Sequence, residues 1–204
     1  MQTHVEQTAI EDKFKRVANA LRWTGWASFW VQLILLATTA IMLMLAISGR
    51  SFNRTVTPNP RLPAVNLNQG TTPGIGIGIF WAGCGIVALL IGLFIAFRQT
   101  RFARRLFNSN SQIHPQKSEV LQLLRWGVIT GLIGMFLTIL GGGATLGVLL
   151  SKSIAQPQGV AIYDPTRIIR SLDIFVAAAN MNGITAHFVG TVTSLGLINW
   201  LNRQ

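Results

Sequence analysis

Four polar residues stand seven apart in the last apolar stretch of this 204-residue chain: Asp173, Asn180, His187 and Ser194. On a helix that supercoils with its neighbours, a seven-residue repeat forms one stripe. Its chemistry is hydrogen bonding by amide, hydroxyl and imidazole, with His187 able to act as a cation ligand or proton relay. His187 is the one titratable side chain from Ile174 to Asn202. It lies about 21 Å along the helix from Asp173, at 1.5 Å per residue. That separation excludes a direct acid–base pair, so the chain is read as a non-enzyme, and no cofactor is expected. A strong metal site would add His, Cys or carboxylate groups at the same depth. Cys84, Met135 and Met181 are the available donors there, while His4 and His114 fall outside the apolar stretches. The stripe therefore has two readings: interhelical hydrogen bonds that specify packing, or a polar path with a cation site. In either case it must turn away from lipid, where its donors would be unsatisfied.

The elements that position this stripe follow from charge placement. Half of the residues are hydrophobic and 11% are charged, 17 basic and 6 acidic, against about 25% charged in soluble domains. No Asp, Glu, Lys or Arg occurs from Trp23 to Gly49, Gly74 to Phe97, Trp126 to Ser151 or Ile174 to Asn202. Each gap exceeds the roughly 20 helical residues that cross a hydrocarbon core. The expected fold is all-α, an integral membrane four-helix bundle forming a single domain. Spans are expected at about 23–48, 74–97, 126–151 and 173–201, within helices near 20–48, 74–107, 119–151 and 172–201.

Residues 1–12 are polar and read as frayed. The segment 13–22 is amphipathic, with Phe14, Val17, Ala18 and Leu21 opposite Lys13, Lys15 and Arg16, which predicts an interfacial helix at the headgroup layer. Trp23, Trp26 and Trp30 share one side of the incoming helix, with Trp30 deep enough to pack on a neighbour. The first span is too long for a signal-peptide core and reads as a retained helix.

The glycines and arginines extend this picture. Gly76, Gly78 and Gly83 in the second helix, and Gly127 and Gly131 in the third, suit close helix–helix approach. The run Gly141, Gly142, Gly143 reads either as a kink or break deep in a span or as packing against a bulky neighbour. Cys84, between Gly83 and Gly85, reads as a small buried thiol. Arg98, Arg101, Arg104 and Arg105 form a basic collar after the second span. With a formal charge of +11 carried beside apolar spans, anionic lipid headgroups are the expected partner. Nucleic acid is not, because no zinc-knuckle spacing, helix-turn-helix region or basic tail is present. Irregular structure is expected over 48–72 with Pro58, Pro60 and Pro63, and over 108–115. In the last loop Asp164 is placed to cap a short helix beginning at Pro165.

Leu21-Arg22-Trp23 and Leu124-Arg125-Trp126 open the two odd-numbered helices, and the echo suggests two parallel two-helix repeats. The chain resembles a family of four-helix membrane proteins of cyanobacteria with relatives in the chloroplast inner envelope. The resemblance rests on the basic N-segment, Leu21-Arg22-Trp23-Thr24-Gly25 before a long first helix, the glycine-rich second helix and the asparagine-bearing fourth. Plant members of that family have been described both in inner-envelope protein import and as permeases associated with iron uptake. The resemblance implies a permease or channel subunit for a small cation such as iron. The alternative is a non-catalytic scaffold, assembly or protein-translocation-associated protein. A homo-oligomer or a membrane-protein complex would complete either one, in a plasma or thylakoid membrane for a cyanobacterial chain.

The N-segment, the stretch from Arg98 to Arg125 and the C-terminus carry 11 Lys/Arg, and the other two loops carry 6. The positive-inside rule then puts both termini in the cytoplasm. Single cysteines replacing Pro60 and Asn110, in a Cys84→Ser background, are expected to react with an impermeant thiol reagent from opposite sides of the membrane. Labelling from the same side would overturn this topology.

Overall fold

The computed structural model describes residues 2–52, 74–106, 117–155 and 169–203, with side chains for 16–49, 74–105, 117–155 and 169–203. Four helices follow in order: α1 (Gln2–Phe52), α2 (Ile75–Leu106), α3 (Lys117–Ile154) and α4 (Ser171–Asn202). All seven prolines of the chain fall outside them, as the missing N–H and ring clash of proline require. Gly74 enters α2 with φ of 95°, a left-handed conformation open to a residue without Cβ, and its carbonyl accepts from Ile77 N–H at 3.1 Å. Within the helices, the segments Arg16–Gly49, Ile75–Arg105, Lys117–Ile154 and Ser171–Asn202 are each long and apolar enough to cross a membrane. The fold is all-α and the protein an integral membrane protein.

Each helix buries residues three and four apart. In α3 these include positions 120, 124, 127, 131, 134, 138, 141 and 145; in α1 they are 18, 21, 25, 28, 32, 36, 39, 43 and 46. That mean period is the one that winds helices into left-handed supercoils with interlocking side chains. Large apolar residues such as Ile34, Met44, Phe80, Phe94, Phe136 and Phe188 face outward. In water they would be a liability, whereas against acyl chains they are the required surface.

The chain divides into two compact units. One contains Met1–Leu35, Ala88–Ile133 and Thr185–Gln204; the other contains Leu36–Val87 and Gly134–Ile184. The first unit is closed by Leu21, Ala103, Val120, Leu124, Leu197 and Leu201, contributed by all four helices. Phe29 of α1 meets Phe97 of α2 with ring centroids 6.2 Å apart. The second unit has Ala46, Ile75 and Val176 at its centre, with Ile79, Val148 and Phe175 around them.

Several expectations change. The N-terminal segment is joined to the first span without a break: α1 is continuous from Gln2 for 51 residues, so residues 2–12 are helical rather than frayed. Nothing between residues 2 and 24 is a proline or glycine to stop it. Ala18 and Leu21, assigned to the lipid-facing side of that helix, are fully buried, and Val17 packs on the first unit's core. Trp30 is half exposed and stacks on Trp26 of its own helix, with centroids 6.1 Å apart. Cys84 is half-buried rather than enclosed. The triple glycine does not break α3, which continues through it. Residues 53–73, 107–116 and 156–168, where the irregular segments and the cap assigned to Asp164 are expected, lie outside the described residues.

At one end of the second unit a charge pair joins two helices. Lys152, in the last turn of α3, donates through Nζ to Asp173 Oδ2 at 2.5 Å, with both side chains almost wholly buried. Asp173 also accepts from the Arg170 N–H at 3.3 Å, capping the first turn of α4. The cation thus sits at a helix C-terminus and the anion at a helix N-terminus, where each helix dipole favours it. Removing one partner leaves a buried charge uncompensated, at a cost of about 3–5 kcal/mol, whereas replacing both is close to neutral. Asp173→Asn and Lys152→Met are each expected to lower unfolding free energy in detergent by about 3 kcal/mol, and the double variant by less than either. Simple additivity of the two losses would show that the pair is not coupled.

Candidate functional site

The polar residues of the four helices gather at two places, one in each unit. In the first unit, α1 contributes Ser28 and Gln32, one turn apart, and Gln32 Nε2 donates to Ser28 Oγ at 2.8 Å. α2 contributes Gln99, and α4 contributes His187 and Ser194; all five side chains are buried. α3 contributes the absence of side chains. A methyl group at Gly127 would lie 2.8 Å from Ser194 Oγ, and one at Gly131 would collide with Thr191 Oγ1. Thr191 returns its own hydroxyl hydrogen to the His187 carbonyl at 2.8 Å, which leaves its oxygen satisfied against the glycine. Between these groups is a cavity of about 20 Å³, lined by Ser28, Gln32, Gln99, His187 and Ser194 together with glycines 92, 127, 131 and 190. That is room for one water-sized occupant with several polar neighbours.

In the second unit the centre is Asn180, which is fully buried. Its Nδ2 donates to the Val176 carbonyl at 2.9 Å and, across to α2, to the Gly78 carbonyl at 3.4 Å. Its Oδ1 has no N–H or O–H donor. It instead lies against Gly141, in the space a Cβ would fill. Asn182 Nδ2 donates to Thr39 Oγ1 of α1 at 2.9 Å. Thr138 and Thr145 return their hydroxyl hydrogens to the carbonyls of Gly134 and Gly141 at 2.9 and 2.8 Å, and each fills a glycine notch on α2, at Gly85 and Gly78 respectively.

The predicted stripe is thus entirely interior: Asp173, Asn180, His187 and Ser194 are all buried. It is divided, with Asp173 and Asn180 in the second unit and His187 and Ser194 in the first. Of the singled-out glycines, Gly78, Gly127, Gly131 and Gly141 lie at tight helix contacts and Gly142 is in ordinary contact with Asn180, whereas Gly76, Gly83 and Gly143 meet nothing within 4 Å. Arg98, Arg101, Arg104 and Arg105 are exposed.

Sequence reasoning missed Ser28, Gln32, Gln99, Thr39, Thr138, Thr145 and the inward role of Lys152. One signal was available: Gly131, Thr138, Thr145 and Lys152 recur every seven residues in α3, the same period as the α4 stripe they run beside. Among the described residues no three His, Cys, Asp or Glu side chains gather as a metal site would require.

Four long apolar helices with their amides, hydroxyls and charges turned inward define a multi-pass membrane protein. The chain belongs to a family described as protein of unknown function (DUF3611), whose model matches residues 11–202. It is similar to Protein TIC 21, chloroplastic, of Arabidopsis thaliana, with 29% identity over 205 residues covering 95% of this chain. The chain spans 62% of the length of that relative. No solved structure matches.

The three consecutive glycines carry their own internal control. A methyl at position 141 would strike the immobile Asn180 amide, one at 142 would make ordinary contact, and one at 143 would meet open space. Gly141→Ala is expected to destabilise by about 1–3 kcal/mol through overpacking. Gly143→Ala should be neutral or stabilising by up to about 1 kcal/mol, since alanine is the better helix former. Thermal unfolding of the two variants side by side in detergent is the measurement. Equal effects would show that Asn180 is not held against Gly141.

Proposed function

We propose that this protein is a permease or channel subunit for a small cation, with the His187 cavity as the place where the ion is handled. Iron is the cation that the family resemblance suggests. The observation that carries the reading is the convergence of Ser28, Gln32, Gln99, His187 and Ser194 on one cavity inside a membrane-spanning unit. An imidazole nitrogen with amide and hydroxyl oxygens suits borderline divalent metals. No carboxylate or thiolate lines the cavity, so the site binds through neutral donors. Neutral donors hold a cation loosely enough for it to leave, which a conducting site needs and a storage site does not. The role involves no chemical conversion.

By the positive-inside rule both termini face the cytoplasm or its organellar equivalent. The plasma or thylakoid membrane is the location consistent with a bacterial chain of this family. A second copy, or another membrane protein, completes the path that four helices alone are too few to enclose.

One specific observation favours a second reading, a scaffold or assembly protein. Most interior polar groups are consumed in holding helices together, as with the threonines in glycine notches and the Lys152–Asp173 pair. The outward surface is almost continuously apolar and fits other membrane helices as well as it fits lipid.

Flux into proteoliposomes separates the two. With ferrous iron outside at pH 5.5–8, the protein is expected to raise uptake well above empty vesicles. His187→Ala should abolish uptake while the variant still elutes with the same oligomeric mass. His187→Gln, which hydrogen-bonds but does not titrate, should leave residual uptake without pH dependence. Unchanged uptake in both variants would remove His187 from the mechanism. No uptake by the unaltered protein would leave the scaffold reading.

A further inference from the structure

A groove on the first unit, between the end of α2 and the start of α3, is built differently from the apolar surface around it. Arg98, Phe102 and Arg105 line it from α2, and Glu119, Gln122, Leu123 and Trp126 from α3, around a space of about 410 Å³. Phe102 is buried with Ile95 and Leu123, which fixes its ring. The guanidinium carbons of Arg98 and Arg105 lie 5.7 and 5.9 Å from that ring's centroid. Both cations are therefore drawn toward one aromatic anchor rather than splayed into solvent.

Among the described residues, the one salt bridge is the Lys152–Asp173 pair, far along α3 from this groove. Glu119 lines the groove but forms no ion pair with either arginine. The two guanidiniums keep their forked N–H donors available, the geometry that matches a phosphate. Arg101 and Arg104, on other sides of the same turns, are exposed and line no part of the groove.

We propose that this groove binds the phosphate headgroup of an anionic phospholipid, phosphatidylglycerol in particular. The membrane is the source rather than dissolved phosphate because of what continues from the groove. Phe94 and Ile91 on α2, and Trp126, Ile129 and Ile133 on α3, are exposed apolar residues following it along the two helices, a bed for acyl chains. Trp126 at the junction is the residue type that marks the level of the headgroups. The head carries hydroxyls because Glu119 and Gln122 are the remaining polar groups of the lining. A carboxylate in a phosphate site repels a bare phosphate, but accepts hydrogen bonds from a glycerol hydroxyl. The site is independent of the His187 cavity, so its occupancy does not depend on whether the protein transports an ion.

The test is native mass spectrometry of the purified protein reconstituted with phosphatidylglycerol, with phosphatidylcholine, or with detergent plus inorganic phosphate. Three proteins are compared: the unaltered chain, Arg98→Gln/Arg105→Gln, and Arg101→Gln/Arg104→Gln as a control of equal charge change. The unaltered chain and the control should retain one phosphatidylglycerol in preference to phosphatidylcholine. The groove variant should show affinity lower by about tenfold or more, a change of 1.4 kcal/mol per factor of ten. All four positions are exposed, and equal helicity by circular dichroism verifies that each variant is folded. Equal losses in both variants would reduce the groove to general attraction by positive charge and overturn the proposal. So would retention of neither lipid, or displacement of the lipid by millimolar inorganic phosphate, which would make the site a soluble-anion site.

Discussion

Acyl chains are as apolar as leucine, so no hydrophobic pressure pushes one transmembrane helix against another. Association has to come from close approach and from polar groups that have nowhere else to be satisfied. Within each unit of this protein the same device recurs. A glycine on one helix receives a threonine or serine side chain from the next, by its hydroxyl in Gly78 with Thr145, Gly127 with Ser194 and Gly131 with Thr191, and by the threonine methyl in Gly25 with Thr100 and Gly85 with Thr138. Where the partner is a threonine, it often returns its hydrogen to its own helix. The polar side chain therefore enters the apolar interior already satisfied, and the glycine supplies the room.

This constraint accounts for the composition. Twenty glycines in 204 residues would weaken helices in water, but here many of them set the distance between helices. It also accounts for the uneven polarity of α4, whose inward residues meet small or back-bonded residues on α1, α2 and α3. Unlike the glycine notches, the cavity beside His187 is not filled by a side chain. Space is left where donors and acceptors from three helices converge, and this sets it apart from the packing that surrounds it.

The spans were legible because charge is so costly in hydrocarbon that its absence marks each one. The inward face of α4 was legible because Asp173, Asn180, His187 and Ser194 keep a strict seven-residue period. Gln32 and Gln99 were not, since a lone amide in an apolar helix has no period to reveal its direction. Lys152 stands at a span's edge, where a long cation is equally consistent with reaching outward to headgroups. Its burial follows only from where Asp173 is placed by the start of α4. The glycines had the opposite problem. Many were visible, but composition does not say which face a glycine occupies, so Gly141 and Gly143 looked alike although Asn180 lies over one and nothing over the other.

The charge pair at the end of α3 and the start of α4 also bears on how the chain enters its membrane. Lys152 and Asp173 are 21 residues apart in sequence, and each is buried in the finished protein against the other. If α3 were threaded into the lipid alone, Lys152 would arrive without its counter-charge. α4 alone would carry Asp173, Asn180, Asn182 and His187 without their partners on the other helices. Each helix is apolar enough to cross a membrane, but by itself it would do so with these groups unpaired. Together they form an antiparallel hairpin whose charges neutralise each other and whose polar stripe is already covered on one side. Entering the membrane as a pair therefore spares the hydrocarbon an unpaired charge and an uncovered polar stripe.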